Sequence, residues 1–132
     1  MKKLIAGFFV ALMAMPVWSQ SWVKVNHDNG AGTAIQQVDA VIRTAEGVAN
    51  GQALLILHHG GGFSMNTTQQ YGEFFAKRGF VTLELKMFND ARLRPDPVTT
   101  HGQVMGGLKY LAAIPGVDPK KYLRWGCHLV HF

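Results

Sequence analysis

Three consecutive glycines behind two histidines, "HHGGGF" from His58 to Phe63, are the residues of this chain best suited to chemistry. Glycines let backbone N–H groups converge on one point without side chains in the way, and such a cluster stabilises an anion or a developing oxyanion. A helix expected soon afterwards adds the positive end of its dipole. A second candidate closes the chain, where Gly126, Cys127, His128, Leu129, Val130 and His131 follow one another. Cys127 is the single cysteine, so no internal disulfide forms. A thiol is a competent nucleophile when a base lowers its pKa. A metal site that joins His128 and His131 to His58 and His59 lacks a Cys or carboxylate partner at characteristic spacing.

The hydrophobic pattern gives the elements that must position these groups. Ala53 to Leu57 is a continuous apolar run of strand length, as expected of a strand covered on both faces, and it runs into the glycines. A helix follows, capped by Asn66 or Thr67, with Tyr71, Phe74 and Phe75 on its apolar face and Gly79 as its stop. "FVTLELKMF" reads as a strand with Val81, Leu83 and Leu85 on one side. A Pro- and Asp-rich connection from Asn89 to about Thr100 leads to a second helix. There Val104, Leu108 and Leu111 share a face, and Pro115-Gly116 ends it. Another strand is expected near Tyr122. Upstream, Trp22 to Val25 reads as a short edge strand in an irregular lead-in. Val38, Ala40 and Ile42 alternate inward with Asp39 and Arg43 outward, which suits a second edge strand. Strand, helix, strand, helix, strand at this spacing describes βαβ units in a parallel sheet. Such sheets carry their chemistry at the carboxyl ends of the strands, where "HHGGGF" lies.

"LLILHHGGGF", "YGEFFAKRGFVTLELKMF" and "GGLKYLAAIPGVDPKK" together resemble the dienelactone hydrolase family of α/β-hydrolases, over about Val41 to Lys121. The resemblance implies an incomplete α/β-hydrolase fold, the N-terminal strands and two helices of a mostly parallel sheet. It implies hydrolysis of a small-molecule ester or related acyl bond without a cofactor. The nucleophile would be a serine or cysteine on a Gly-x-Ser/Cys-x-Gly elbow, with an aspartate and a histidine base elsewhere in the chain. Under the same resemblance His59, Gly60, Gly61 and Gly62 form the oxyanion loop, and the backbone N–H of Leu129 is its second donor.

Family spacing from Asp118-Pro119 puts the elbow glycine at Gly126, the nucleophile position at His128 and the second glycine at Val130. Gly126 fits; the other two do not. A tight elbow does not readily hold a β-branched residue where backbones approach closely. Cys127 is one place early, and neighbours along a strand point to opposite faces. Arg124 falls in a strand expected to be apolar, where an unpaired charge is costly. The misfit begins at Tyr122. Lys120 and Lys121 can both be encoded AAA, and restoring one lost A lets a back-translation of "YLRWGCHLVHF" read Ile-Ser-Ala-Met-Gly-Met-Ser-Phe-Gly-Ala-Phe. A serine then falls at position 128. The expectation is a truncated fragment that is inactive as written, because nucleophile, acid and base are missing. The alternative is a non-catalytic exported binding protein that holds an anionic ligand at the glycine loop.

The chain has 132 residues, enough for one modest domain. Residues 1–19 have the layout of a secretory signal peptide: Lys2 and Lys3, an apolar run from Leu4 to Met15, then Val17 and Ser19 at the −3 and −1 positions of a cleavage site. The apolar run is too short for a comfortable membrane span. Residues 20–132 form the hydrolase-like domain of a periplasmic or secreted product with no stable membrane anchor after cleavage. Loss of Lys2 and Lys3 takes the formal charge from +5 to +3. The remaining basic residues form no stripe interleaved with aromatics, which argues against a nucleic-acid partner.

Overall fold

The computed structural model describes residues 19–28, 34–44 and 51–126, the last five as backbone only. Strands β1 (Ser19–Asp28) and β2 (Ile35–Thr44) pair antiparallel, from Ser19 opposite Thr44 to Asp28 opposite Ile35. Strand β3 (Ala53–Leu57) pairs in parallel with β4 (Val81–Leu85) on one side and with β5 (Tyr122–Gly126) on the other. Antiparallel pairing of β2 with β4 completes a five-stranded sheet in the order β1-β2-β4-β3-β5. The sheet is mixed, with three parallel strands and an antiparallel hairpin along one flank. This is a partial α/β-hydrolase-like fold, the class the sequence implies.

Two strand assignments change. β1 is ten residues long rather than the short Trp22–Val25 segment, because every one of its residues has a partner on β2. β2 is not an edge strand; both of its edges are paired, one to β1 and the other to β4. Arg43, expected to point outward, is completely buried, because the segment that follows β3 packs on that face with Gly72 against its guanidinium. Its Nη2 donates to Gln20 Oε1 at 2.8 Å. Burial weakens the guanidinium's hold on its proton, and the charges of Glu84 and Glu73 oppose that effect. Glu84, on the neighbouring strand, is itself only 1% exposed.

The helices cover opposite faces. Between β3 and β4 the chain forms α1 (Met65–Thr67), a π-helical stretch (Thr68–Glu73) and α2 (Phe74–Ala76). The wider π-turn rotates the apolar face away from the expected one. Phe74 is 47% exposed, whereas Gly72 and Ala76 are buried. Gly72 lies against the Arg43 guanidinium, and Thr82 Oγ1 donates to its carbonyl at 3.5 Å. Gly79 ends the segment at φ 85, a conformation that favours glycine and bears out its reading as the stop.

On the other face lies α3 (Pro97–Ala112), which starts one turn earlier than expected. Asp96 caps it by accepting from the N–H groups of Val98 and Thr99, and Pro97 occupies the first helical position, where no N–H is needed. Beneath it Val25, Val38, Ala40, Ala53, Leu55, Val81, Leu83 and Leu85 form the core with Leu111 and Val117. Val104 and Leu108 pack at its margin. The helix lies almost on the backbone of β1. A Cβ at Gly106 would stand 2.5 Å from the Asn26 carbonyl oxygen and 2.8 Å from His27 Cβ.

Gly106→Ala separates helix propensity from packing. Propensity alone predicts a gain of about 1 kcal/mol, whereas overpacking against β1 predicts a net loss of about 1–3 kcal/mol. Packing should win. The urea midpoint of the variant is expected to fall, and a rise would show that α3 does not sit this close to β1.

Candidate functional site

The chain runs from β3 outward to β4 and then back across β3 to β5, so strand order reverses beside the carboxyl end of β3. Ligand crevices of open α/β sheets form at such a reversal. The register brings two of the expected segments together there. Gly126, the expected elbow glycine, stands opposite Leu57, the last residue before His58–Gly62. His128 and Leu129, with Cys127 and Val130, lie outside the described residues.

The glycine loop is laced to the end of β4 by its own backbone and by His58. Phe63 N–H donates to the Phe88 carbonyl at 2.8 Å. Gly62 adopts φ 114, and a Cβ there would lie 2.5 Å from the Asn89 carbonyl oxygen. His58 is 7% exposed. Its Nε2 accepts from the N–H of Met87 at 3.2 Å and of Phe88 at 3.4 Å. Nε2 is therefore the bare nitrogen, and Nδ1 carries the proton that it donates to the His59 carbonyl at 2.9 Å. The rings of Phe63 and Phe88 meet His58 edge-on, with centroids 6.2 and 4.5 Å away. Burial pushes the His58 imidazole below its ordinary value. The hydrogen bond to the His59 carbonyl works the other way, and the nearby charges of His59 and Arg94 push down again.

His59 is exposed and shapes the turn from inside it. Its Nδ1 accepts from Gly61 N–H at 2.8 Å, and its carbonyl accepts from Gly62 N–H at 3.1 Å. Gly61 and Gly62 thus spend their N–H groups on the turn itself. Gly60 N–H has no acceptor among the described residues. Above it lies a residue that the sequence reading did not single out. Arg94 Nη2 donates to the Gly60 carbonyl at 3.4 Å, and its guanidinium stands 5.6 Å from the Phe88 ring centroid. The only sequence signal for Arg94 is its place in the "RLRPDP" connection, which the three-residue 3₁₀ turn Ala91–Leu93 folds back toward the loop. On the hairpin side, the half-exposed Trp22 packs on Phe63 with ring centroids 5.6 Å apart. Chemically, the arrangement offers one open N–H and one guanidinium to an anion or a polarised carbonyl. No three His, Cys, Asp or Glu side chains come together as a metal site among the described residues.

No protein-family model matches the sequence, and no curated protein matches it. Solved structures do match in fold. A dienelactone hydrolase-like promiscuous phosphotriesterase from metagenomic libraries superposes with a TM-score of 0.59 at 19% identity, over 81% of this chain and 48% of its own. The esterase Est22 gives a TM-score of 0.62 at 16% identity, over 83% of this chain and 34% of its own. A bacterial heroin esterase gives 0.64 at 16% identity, over 88% and 37%. The chain thus spans between a third and a half of the length of these proteins, and at such identities the likeness is one of fold.

Two glycine substitutions test the geometry of the loop. Gly62→Ala meets backbone at Asn89 and a positive φ, so it should cost about 2 kcal/mol or more. Gly60→Ala meets only the movable end of Arg94, at 2.6 Å, and should cost well under half as much. Thermal unfolding midpoints of the two variants check this ranking, and equal midpoints would contradict it.

Proposed function

We propose that this chain is part of an exported, dienelactone hydrolase-like hydrolase of ester or related acyl bonds, and that as written it does not turn its substrate over. The observation that carries the reading is the register of β5 on β3, which sets Gly126 beside the entrance to the glycine loop. In the intact parent, a nucleophile on a turn just past Gly126 would attack a carbonyl held against that loop. Gly60 N–H and the backbone N–H at Leu129 would stabilise the oxyanion, His59 and the other two glycines would hold the turn, and Arg94 would add positive charge. An acyl-enzyme would form as the acyl C–O bond breaks, and the alcohol would leave with the proton that the histidine base took from the nucleophile. Water, deprotonated by the same base, would then hydrolyse the acyl-enzyme to the acid. The fold neighbours named phosphotriesterase and esterase support a small-molecule ester as the substrate class. Export rests on the leader layout, with a periplasmic or secreted destination. Among the described residues no helix is long and apolar enough to cross a membrane.

Inactivity rests on the sequence at the elbow. His128 replaces a serine or cysteine and Val130 replaces a glycine, both after Lys121, where one restored base would return the motif. The purified chain should hydrolyse p-nitrophenyl butyrate no faster than buffer. The gene, sequenced through the Lys120 and Lys121 codons, should open with one added base into Gly-x-Ser-x-Gly and several dozen further codons. Expression of that restored frame should raise turnover by at least a factor of about a thousand. Turnover by the chain as written, lost in Cys127→Ala, would instead establish a thiol enzyme.

Gly60 N–H and Arg94 also favour a second reading, a non-catalytic protein that holds an anionic ligand at the loop. That reading expects benzoate to shift the Gly60 amide resonance saturably at sub-millimolar concentration, and Arg94→Gln to abolish the shift.

A further inference from the structure

We propose that His58 is the positioning residue of the glycine loop, a neutral imidazole that ties the ends of β3 and β4 together and whose protonation lets the loop open. The proposal rests on the hydrogen bonds of the loop and not on ester hydrolysis. Two backbone N–H groups, from Met87 and Phe88, converge on the same ring nitrogen. A proton on Nε2 would turn that acceptor into a third donor aimed at the other two. Both bonds would then be lost together, and two partly buried amides would be left without an acceptor.

The consequence reaches the loop through one residue. The Phe88 carbonyl is what holds Phe63 N–H, at 2.8 Å. Phe63 in turn packs between the His58 ring and Trp22. Release of the Met87–Phe88 segment therefore frees the far end of the glycine turn, while the two bonds to His59 hold its near end. The loop would swing out rather than unravel.

The surroundings favour the neutral ring. Phe63 and Phe88 present aromatic edges. The charged groups that bear on His58 are basic: His59 from its own loop, and Arg94 from the segment before α3. Lys86, at the end of β4, lies off over the Trp22 ring, 5.7 Å from its centroid. The His59 carbonyl alone favours the imidazolium, and burial outweighs it. The folded-state value therefore lies below the ordinary 6.5. Linkage gives the sign: an unfolded chain takes up the proton first as pH falls. The clamp's contribution is complete above about pH 6.5 and is lost as pH drops through the lower folded value.

The test is a pH titration of the ¹⁵N-labelled chain, followed by long-range ¹H–¹⁵N correlations that resolve each histidine ring. At pH 7 His58 should show the Nδ1–H tautomer. Its midpoint should lie below 6.5, and the amide resonances of Met87, Phe88 and Phe63 should move with that same midpoint. Exchange of those three amides, corrected for intrinsic chemistry, should accelerate at least tenfold across the transition. His58→Gln keeps an acceptor near the Nε2 position but cannot take up a proton there, so the pH-dependent step should vanish. An Nε2–H tautomer or an ordinary midpoint would overturn the proposal. So would amides that ignore His58 or follow His59. The titration of the unsubstituted chain decides the matter even if His58→Gln does not fold. None of these readouts requires turnover, so failure of the hydrolase reading leaves the proposal standing, and the reverse holds as well.

Discussion

A strand paired in parallel on both sides, as β3 is by β4 and β5, cannot turn back on itself at its end. The chain must leave the sheet there, climb over a face and return at the far end of a neighbour. At that point the backbone loses its ladder partners, yet it stays close to the buried ends of two other strands. The glycine loop answers this constraint with internal bonds: Gly61 and Gly62 bond back to His59, and Phe63 bonds across to Phe88. His58 satisfies the second and third amides beyond β4. Among the described residues Gly60 N–H is left open, and the Gly60 carbonyl accepts from Arg94. The site is thus what remains after the strand end has been made tolerable, a small polar residue of an otherwise closed arrangement.

The same economy of space governs the two helical layers. α3 can lie on β1 only because Gly102 and Gly106 present no Cβ to the carbonyls of Asp28 and Asn26. Gly107 likewise lets the helix settle onto Leu55 and Leu85. On the opposite face, Gly72 makes room for a buried guanidinium, and the π-turn supplies the rotation that brings it there. That face carries Arg43, Thr82 and Glu84 where the α3 face is apolar. The charge of Glu84 favours the buried Arg43 guanidinium, and removal of either group would leave the other charged in a low-dielectric layer. The first helical segment therefore rests on a buried guanidinium, whereas the second rests on apolar side chains and the backbone of β1.

These differences explain which parts of the fold the sequence disclosed. Ala53–Leu57 is legible because a strand covered on both faces reads as an unbroken apolar run, and Val81–Leu85 because Val81, Leu83 and Leu85 alternate onto one side. The junction of Ala53–Leu57 with "HHGGGF" sets the loop at the carboxyl end of the sheet. Arg43 differs from its expected outward place because alternation says which residues share a face, not whether that face is exposed, and the packing of the Gly72 segment on β2 decides the latter. Asp96-Pro97 was a readable helix start, passed over because the connection around it is rich in turn-forming residues. The role of His58 had no sequence signal at all. Nothing local distinguishes it from His59, yet one ring is buried and clamps two strands while the other stands in solvent and shapes a turn.

The segment after Lys121 shows how little a parallel ladder asks of side chains. Tyr122–Gly126 pairs residue for residue with Ala53–Leu57, although Arg124 stands in register with Leu55, a member of the apolar core. Backbone hydrogen bonds and the length of the connection from α3 are enough to bring this stretch to the edge of β3. Its register then follows from the turn at Asp118, whose N–H is bonded to the Gly51 carbonyl at 2.8 Å. Position along the sheet and chemical identity at that position are thus set by different parts of the chain. The first is encoded upstream of Lys121 and survives whatever follows, whereas the second is written only in the residues after it. A scaffold can for this reason deliver a strand to its place beside β3 whatever side chains that strand carries.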